Sequence, residues 1–415
     1  MKKPLHKHIG HGAKKVGRHF TKYLYERDTI FATIWVFIFI VGLSNIPLNL
    51  YVLNPLKMGL KDFDYTDLAY AELGKGKNSK IDSNIVIINI GHADRELLSM
   101  IIDKTAENNP KVMALDAVFY EPSDPEPDSL LSASIGKHKN LIAATKLILS
   151  GKDGDTILTS GDYFKNAATY GYVNFFSDEL ASLRYYDPFM KDYKGTTYSS
   201  FTSAIIQAYN PAAFKKIKKK EGKQVQINYE RTVDKYQVIE YDNLLTGSFE
   251  RKAIEGKIAL LGYINREPTD ILDKKFTPMN ERFAGKSRPD MNGIVAHANI
   301  ISMVLGNNYI KKVPSWVNLL ISIVVCWLFM SFFIRYYLEN HIWFHLVAKV
   351  IQVAAVLLFA YLGIYCFDEF NVKLDMKLSL IVIIMAVDVI YFYEAWAVWM
   401  HKKFQYHTIF KPHHH

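Results

Sequence analysis

Four stretches of the chain are almost continuously apolar: Ile30–Ile46, Trp316–Ile334, Trp343–Phe367 and Leu378–Met400. Each comes near the ~17–25 residues that a helix needs to cross a hydrocarbon core. The pattern therefore predicts one membrane helix near the start and three in close succession at the end. Between the first and the second, apolar positions fall in short blocks. Ile85–Ile90 is a β-branched run, and Ala93–Glu107 follows with Leu97, Leu98, Ile101 and Ile102 at helical spacing. Val112–Phe119 predicts a second strand, Asp128–His138 a second helix and Leu141–Leu149 a third strand, joined by the short connections of right-handed βαβ units. Further strands are expected at Tyr172–Phe176, Gln224–Tyr229 and the buried run Lys257–Tyr263, with helices at Phe201–Tyr209 and Gly293–Leu305. The predicted fold class is an α/β extracytoplasmic domain with a mainly parallel sheet, plus four transmembrane α-helices, one before it and three after.

Charge orients this layout, because Lys and Arg in short flanks resist translocation. The first residues carry Lys2, Lys3, Lys7, Lys14, Lys15, Arg18, Lys22 and Arg27 against Glu26 and Asp28. That tail is expected in the cytoplasm, which puts the middle segment outside, the Arg335–His341 loop inside, the Asp368–Lys377 loop outside and Lys402–Lys403 inside. Lys311 and Lys312 fall outside at the end of a long domain, and long domains translocate largely regardless of charge. The expected organisation is a cytoplasmic basic tail over 1–28, a first membrane helix over 29–48, an outer domain over 49–313, three membrane helices over 314–400 and a cytoplasmic tail over 401–415. A signal peptide is the alternative for the first span, but no small-residue cleavage site follows Leu43–Leu50, so an uncleaved anchor is expected.

Composition agrees: 50% hydrophobic with 22% charged residues is apolar for a soluble chain. The net charge of +9 comes from the tails and a lysine-rich loop, and no nucleic-acid partner is expected. Cys326 and Cys366 both fall in predicted spans, so the outer domain relies on an ordinary core rather than disulfides.

The order of segments resembles the CHASE domain of the second type, a sensory extracellular domain associated with bacterial cyclases and histidine kinases. The resemblance is carried by Asp62–Leu73 (DFDYTDLAYAEL), Ile85–Ile90 (IVIINI), Val112–Asp124 (VMALDAVFYEPSD), Lys257–Asp270 (KIALLGYINREPTD) and Gly293–Leu305 (GIVAHANIISMVL), with three spans following. It implies an environmental sensor in a bacterial cytoplasmic (inner) membrane, coupled to a kinase or cyclase output. After Met400 only a short tail ending His413–His415 remains in this sequence, so the signal is expected to leave through a separate membrane or cytoplasmic partner protein. The same departure favours a rival, a non-catalytic scaffold subunit of a multi-protein envelope complex. The family often carries an acidic residue where this chain has Asn89 with Gly91.

In an open parallel sheet the ligand crevice lies beyond the carboxyl ends of the strands. The candidate ligand-binding residues there are His92, Asp94, Asp116, Glu121, Asp124, Asp128 and Asp270, which together would line an acidic edge. Asp116, Glu121, Asp124 and Asp128 suit a hard cation such as Ca²⁺, which takes oxygen ligands, or a cationic solute. The competing structural explanation is that Asp94 and Asp128 each precede a helix and cap its free N–H groups. His297, near Val295 and Ile300, fits a partly buried, hydrogen-bonded histidine better than a ligand.

No catalytic residue, metal or cofactor is assigned. Gly74–Lys80 (GKGKNSK) lacks P-loop spacing, and no nucleophile elbow, zinc pair or dinucleotide fingerprint appears. Lys215–Lys223 fits a solvated loop better than a polyanion site, and His6, His8 and His11 form a basic tail rather than a metal site. Inside the spans, Lys349 and Glu394 each lie about 9 Å deep and are expected to pair, while Gln352 and Asp388 fall near mid-helix. Hydrogen bonds holding the last helices together explain these four better than a proton relay. Aromatic residues from Tyr391 to Trp399 mark the inner interface and a surface for a partner. Besides the lipid bilayer and an output protein, a homo-oligomer is compatible with the sequence.

Overall fold

The computed structural model describes residues 23–45, 64–75, 79–148, 156–158, 169–175, 182–192, 194–267, 269–280, 288–339 and 341–410. His6, His8 and His11, the end of the first expected span over 46–48, residues 62 and 63 of the first family segment, residues 76–78, Phe176 and His413–His415 lie outside them.

Along the chain the elements are α1 Arg27–Ser44, α2 Asp67–Ala71, β1 Ile85–Asn89, α3 Arg95–Glu107, β2 Val112–Leu115, α4 Pro125–Lys137, β3 Leu141–Ile148, β4 Thr156–Leu158 and β5 Thr169–Tyr172. Then come β6 Tyr185–Tyr186, β7 Phe189–Lys191, β8 Thr197–Ser199, α5 Phe201–Tyr209, α6 Pro211–Lys218, β9 Val225–Gln226, β10 Gln237–Glu240, α7 Tyr241–Thr246 and β11 Ile258–Gly262. The last are β12 Lys274–Lys275, β13 Met291–Asn292, α8 Gly293–Leu305, β14 Lys311–Lys312, α9 Ser315–Glu339, α10 His341–Phe370, β15 Val372–Lys373 and α11 Lys377–Phe404. Two units result, Pro55–Ile310 and the two flanking segments together.

The Pro55–Ile310 unit is built on a seven-stranded sheet in the order β10-β1-β11-β2-β3-β4, with β5 also on β3. All neighbours run parallel except β4 against β3. The crossover from β1 to β2 leaves a slot one strand wide, filled by β11 from far along the chain. β1, β2 and β11 are buried at every position, as expected of strands covered on both faces. On one face Val86, Ile88, Met113, Leu115 and Leu261 pack with Leu98, Ile101 and Ile102 of α3 and Leu131 and Ile135 of α4. Helices α5 and α8 pack against the sheet as well. Two glycines permit close approach there: a Cβ on Gly262 would meet the Ile294 side chain at 2.8 Å, and one on Gly171 would meet the Phe201 backbone at 2.4 Å.

Helix ends follow local chemistry. Asp94 accepts from Leu97 N at 2.8 Å and starts α3, Ser200 starts α5 by accepting from Ser203 N at 3.2 Å, and Asn210 with Pro211 starts α6. Differences from expectation are mostly at edges. The expected Val112–Phe119 strand stops at Leu115, α4 begins at Pro125 because proline suits a first helical turn, and only Val225–Gln226 of Gln224–Tyr229 is a strand. The strand expected at Tyr172–Phe176 lies earlier, at Thr169–Tyr172.

In the other unit α1, α9, α10 and α11 are each long and apolar enough to cross a membrane. Helices α1, α9 and α11 share a core of Ala32, Val36, Met330, Phe333, Ala386, Ile390 and Tyr393. Helix α10 contributes Phe344 and Ala348 to it and leaves Val350, Val353, Leu357 and Leu358 exposed. The expected Arg335–His341 loop is helical through Glu339 and again from His341. The expected Asp368–Lys377 loop contains β15, which pairs parallel with β14.

Candidate functional site

Beyond the carboxyl ends of β2 and β5, and beside the last residues of β3, the Pro55–Ile310 unit holds a cavity of about 570 Å³, lined by Asp116, Lys146, Asn174, Phe175, Lys275 and His297 among others. Each wall has a local cause. Asp116 follows β2, and its N–H donates to Leu261 O at 2.8 Å. Asn174 accepts from Leu147 N at 2.7 Å and donates to Leu147 O at 2.9 Å, which holds residues 173–175 beside β3. The far wall is the first turn of α8, where Gly293 and His297 sit one turn apart and so share a face. Asp273, at φ +55°, accepts the Gly293 N–H on its carboxylate at 3.2 Å and on its carbonyl at 3.0 Å. A carboxylate there also complements the positive end of the helix.

His297 is 4% exposed, and its Nδ1 has no hydrogen-bond partner among the described residues. Its ring stacks on Phe175 at 4.7 Å and meets the edge of Phe201 at 5.4 Å. Burial, assisted by Lys275, pushes the imidazole down to about 3, so it is neutral. Burial raises the Asp116 carboxyl to about 7, with Asp273 adding to the rise and Lys275 opposing it. Burial raises Asp273 as well, against Lys275 and the Gly293 N–H. Asp116, Asp273, Lys146, Lys274 and Lys275 all line the cavity. They form no ion pair with one another among the described residues.

The seven candidates from the sequence do not form one acidic edge. Asp116 alone among them lines the cavity. His92 and Asp270 meet elsewhere through Tyr263, whose hydroxyl lies 3.4 Å from His92 Nε2 and donates to Asp270 Oδ2 at 3.2 Å. Asp270 also accepts from Leu272 N at 2.8 Å, the main cause of its lowered pKa. Asp94 caps α3. Asp128 is not a cap: it lies inside α4, fully buried, where its carboxylate binds Arg95 and accepts from Ser123 N at 2.8 Å. The Glu121 carbonyl accepts from the same arginine, and Asp124 occupies the N-cap position of α4 without a side-chain bond. The Ca²⁺ arrangement suggested for Asp116, Glu121, Asp124 and Asp128 therefore does not form. Among the described residues no three His, Cys, Asp or Glu side chains gather as a metal site needs.

Asn89, at the departure from the family pattern, donates to Glu240 Oε2 at 2.7 Å and accepts from Ile264 N at 2.9 Å. It fastens the segment after β11. Asp273 and Lys275 were not among the expected site residues, and His297, expected to be partly buried and hydrogen-bonded, is buried with its Nδ1 unpartnered among the described residues. The one available signal was the Gly293–His297 spacing at a helix start.

In the helical unit the expected Lys349–Glu394 pair is absent. Lys349 Nζ instead lies 3.4 Å from Asp388 Oδ1, and Glu394 accepts from the Tyr337 hydroxyl at 2.6 Å. Gln352 donates to the carbonyls of Ile383 and Ile384 at 3.0 and 2.8 Å. A polar centre that the sequence did not reveal surrounds Asp28, which is 1% exposed. It accepts from Tyr393 Oη at 2.6 Å, Thr408 Oγ1 at 3.0 Å and Ile409 N at 2.7 Å, so residues 405–410 fold back onto the bundle and bury Phe410.

The family model for the CHASE2 domain matches residues 63–333, well over half of the chain. The chain therefore belongs to the CHASE2 domain family: it is a multi-pass membrane protein with an extracytoplasmic sensory domain. No curated protein and no solved structure matches it.

Proposed function

We propose that the protein is a non-catalytic receptor subunit that binds a small solute in the α8 cavity and passes the change to a separate protein in or beneath a bacterial inner membrane. Both termini then lie in the cytoplasm, following the basic residues of the first tail. The observation that carries this reading is the placement of α8. Its first turn lines the cavity, every residue from Gly293 to Val304 is buried, and residues 306–314 join its last turn to the membrane helix α9. A ligand that prefers one position of α8 shifts the α9 connection by as much as its differential affinity allows.

A partner protein is supported by the Lys349–Asp388 pair, whose side chains are 55% and 53% exposed on membrane helices. Charges are costly against hydrocarbon and are eased by protein cover. Gentle crosslinking in the native membrane followed by purification of the intact chain tests this reading. A stoichiometric kinase, cyclase or other signalling protein is the expected result. Recovery of a large envelope assembly without an output protein contradicts the reading and makes the chain a scaffold.

A further inference from the structure

The α8 cavity carries charges of both signs that do not neutralise one another. Asp116 has no side-chain hydrogen bond or ion pair among the described residues, and Asp273 adds a second carboxylate to the lining at the helix start. Lys275 lines the same cavity and lies close enough to influence Asp116, Asp273 and His297 electrostatically. Lys146 is drawn over the Tyr120 ring at 5.8 Å, and Lys274 donates to Glu267 O at 2.7 Å, so Lys275 is the lysine of the three whose ammonium group remains available. In the same lining His297 presents a buried Nδ1 without a partner among the described residues, and Phe175 supplies an apolar surface.

A simple anion finds the positive end of α8 already answered by Asp273, and a simple cation meets the lysines. A molecule with both charges satisfies both poles. We propose that the cavity binds a small zwitterion of the α-amino-acid type, its ammonium group on Asp116 and its carboxylate on Lys275, with His297 Nδ1 hydrogen-bonding one of its polar groups. The proposal rests on the receptor reading above and names its ligand class. Charges of both signs that line one cavity without pairing are costly without a ligand and favourable with one, because charge-assisted hydrogen bonds exceed neutral ones.

The test uses the intact chain in lipid nanodiscs and titration calorimetry with the standard α-amino acids. Each binder is then compared with the amine lacking its carboxylate and the acid lacking its amine. The expected result is that at least one amino acid binds, that each half-molecule binds about tenfold more weakly or worse, and that Asp116→Asn and the exposed Lys275→Gln each weaken binding about as much. Absence of any amino-acid binding overturns the proposal, as does an amine or an acid that binds as tightly as its parent. An unchanged affinity in Lys275→Gln also overturns it. The receptor reading fails separately, through the co-purification experiment, because that outcome does not depend on which solute fills the cavity.

Discussion

Two aspartates show how differently the two units treat a carboxylate. Asp28, in the helical unit, is buried and takes hydrogen bonds from two side chains and a backbone N–H between 2.6 and 3.0 Å. Asp116, in the CHASE2 domain, borders a cavity, has no such partner among the described residues and is raised to about 7 by burial. The first arrangement stabilises the fold, since each of those donors would otherwise be left without its acceptor. The second leaves a group poised for something not supplied by the chain. The contrast is not merely one of membrane against water, because Asp128 in the CHASE2 domain is also buried and held, by Arg95 and Ser123.

The largest effect is expected at Asp28. Replacing it with Ala leaves the Tyr393 and Thr408 hydroxyls and the Ile409 N–H without their acceptor, at a cost of about 4 kcal/mol. Thermal unfolding in detergent should fall accordingly, and the Ile409 amide should exchange faster as residues 405–410 detach. Arg95→Ala is next: it leaves Asp128 without its cation, and the unfolding midpoint should fall in a denaturation series.

Asp116→Asn should do the opposite. The folded carboxyl titrates near 7, above its value of about 3.9 in an unfolded chain. Below pH ~4 both states are protonated and the wild type suffers no penalty. As pH rises to 7 the unfolded state ionises first, so wild-type stability falls across that window and is level above it. Asn does not titrate. The variant should therefore gain on the wild type between pH 4 and 7, by about 1–2 kcal/mol once partial exposure is allowed for. Equal differences at pH 4 and pH 8 would show that Asp116 is not held under this penalty. Asp273, Lys146, Lys274, Lys275 and His297 face the same cavity and are common to both proteins. The smallest change is expected for Lys349→Met, which removes one half-exposed ion pair and should shift stability in nanodiscs by about 0.6 kcal/mol.

Long periodic segments were legible in the sequence. Phe201–Tyr209 and Gly293–Leu305 are helices at the expected residues, and the four spans stand out by length. Strand β10 was not legible, because Gln237–Glu240 has neither an apolar run nor turn signals and becomes a strand only by pairing with β1. The same limit governed the site. Asp116 could be found as the residue ending a strand, but Asp273 and Lys275 reach it only through the tertiary fold.

In the bundle, depth alone suggested Lys349 with Glu394, and depth does not specify direction around a helix. At about 100° per residue Glu394 lies about 240° around α11 from Asp388. Asp388 thus faces Lys349 on α10 while Glu394 turns toward Tyr337 on α9. Asp28 looked like one more tail charge because its partners lie at the far end of the chain.

The central claim is that occupancy of the cavity is felt where α8 joins the membrane helices. Hydrogen–deuterium exchange on the intact chain in nanodiscs, with and without a bound α-amino acid, tests it most directly. Slower exchange is expected at residues 273–276 and in the first turn of α8, together with a changed rate across residues 306–314. Protection confined to the cavity, with residues 306–314 unchanged, would contradict it.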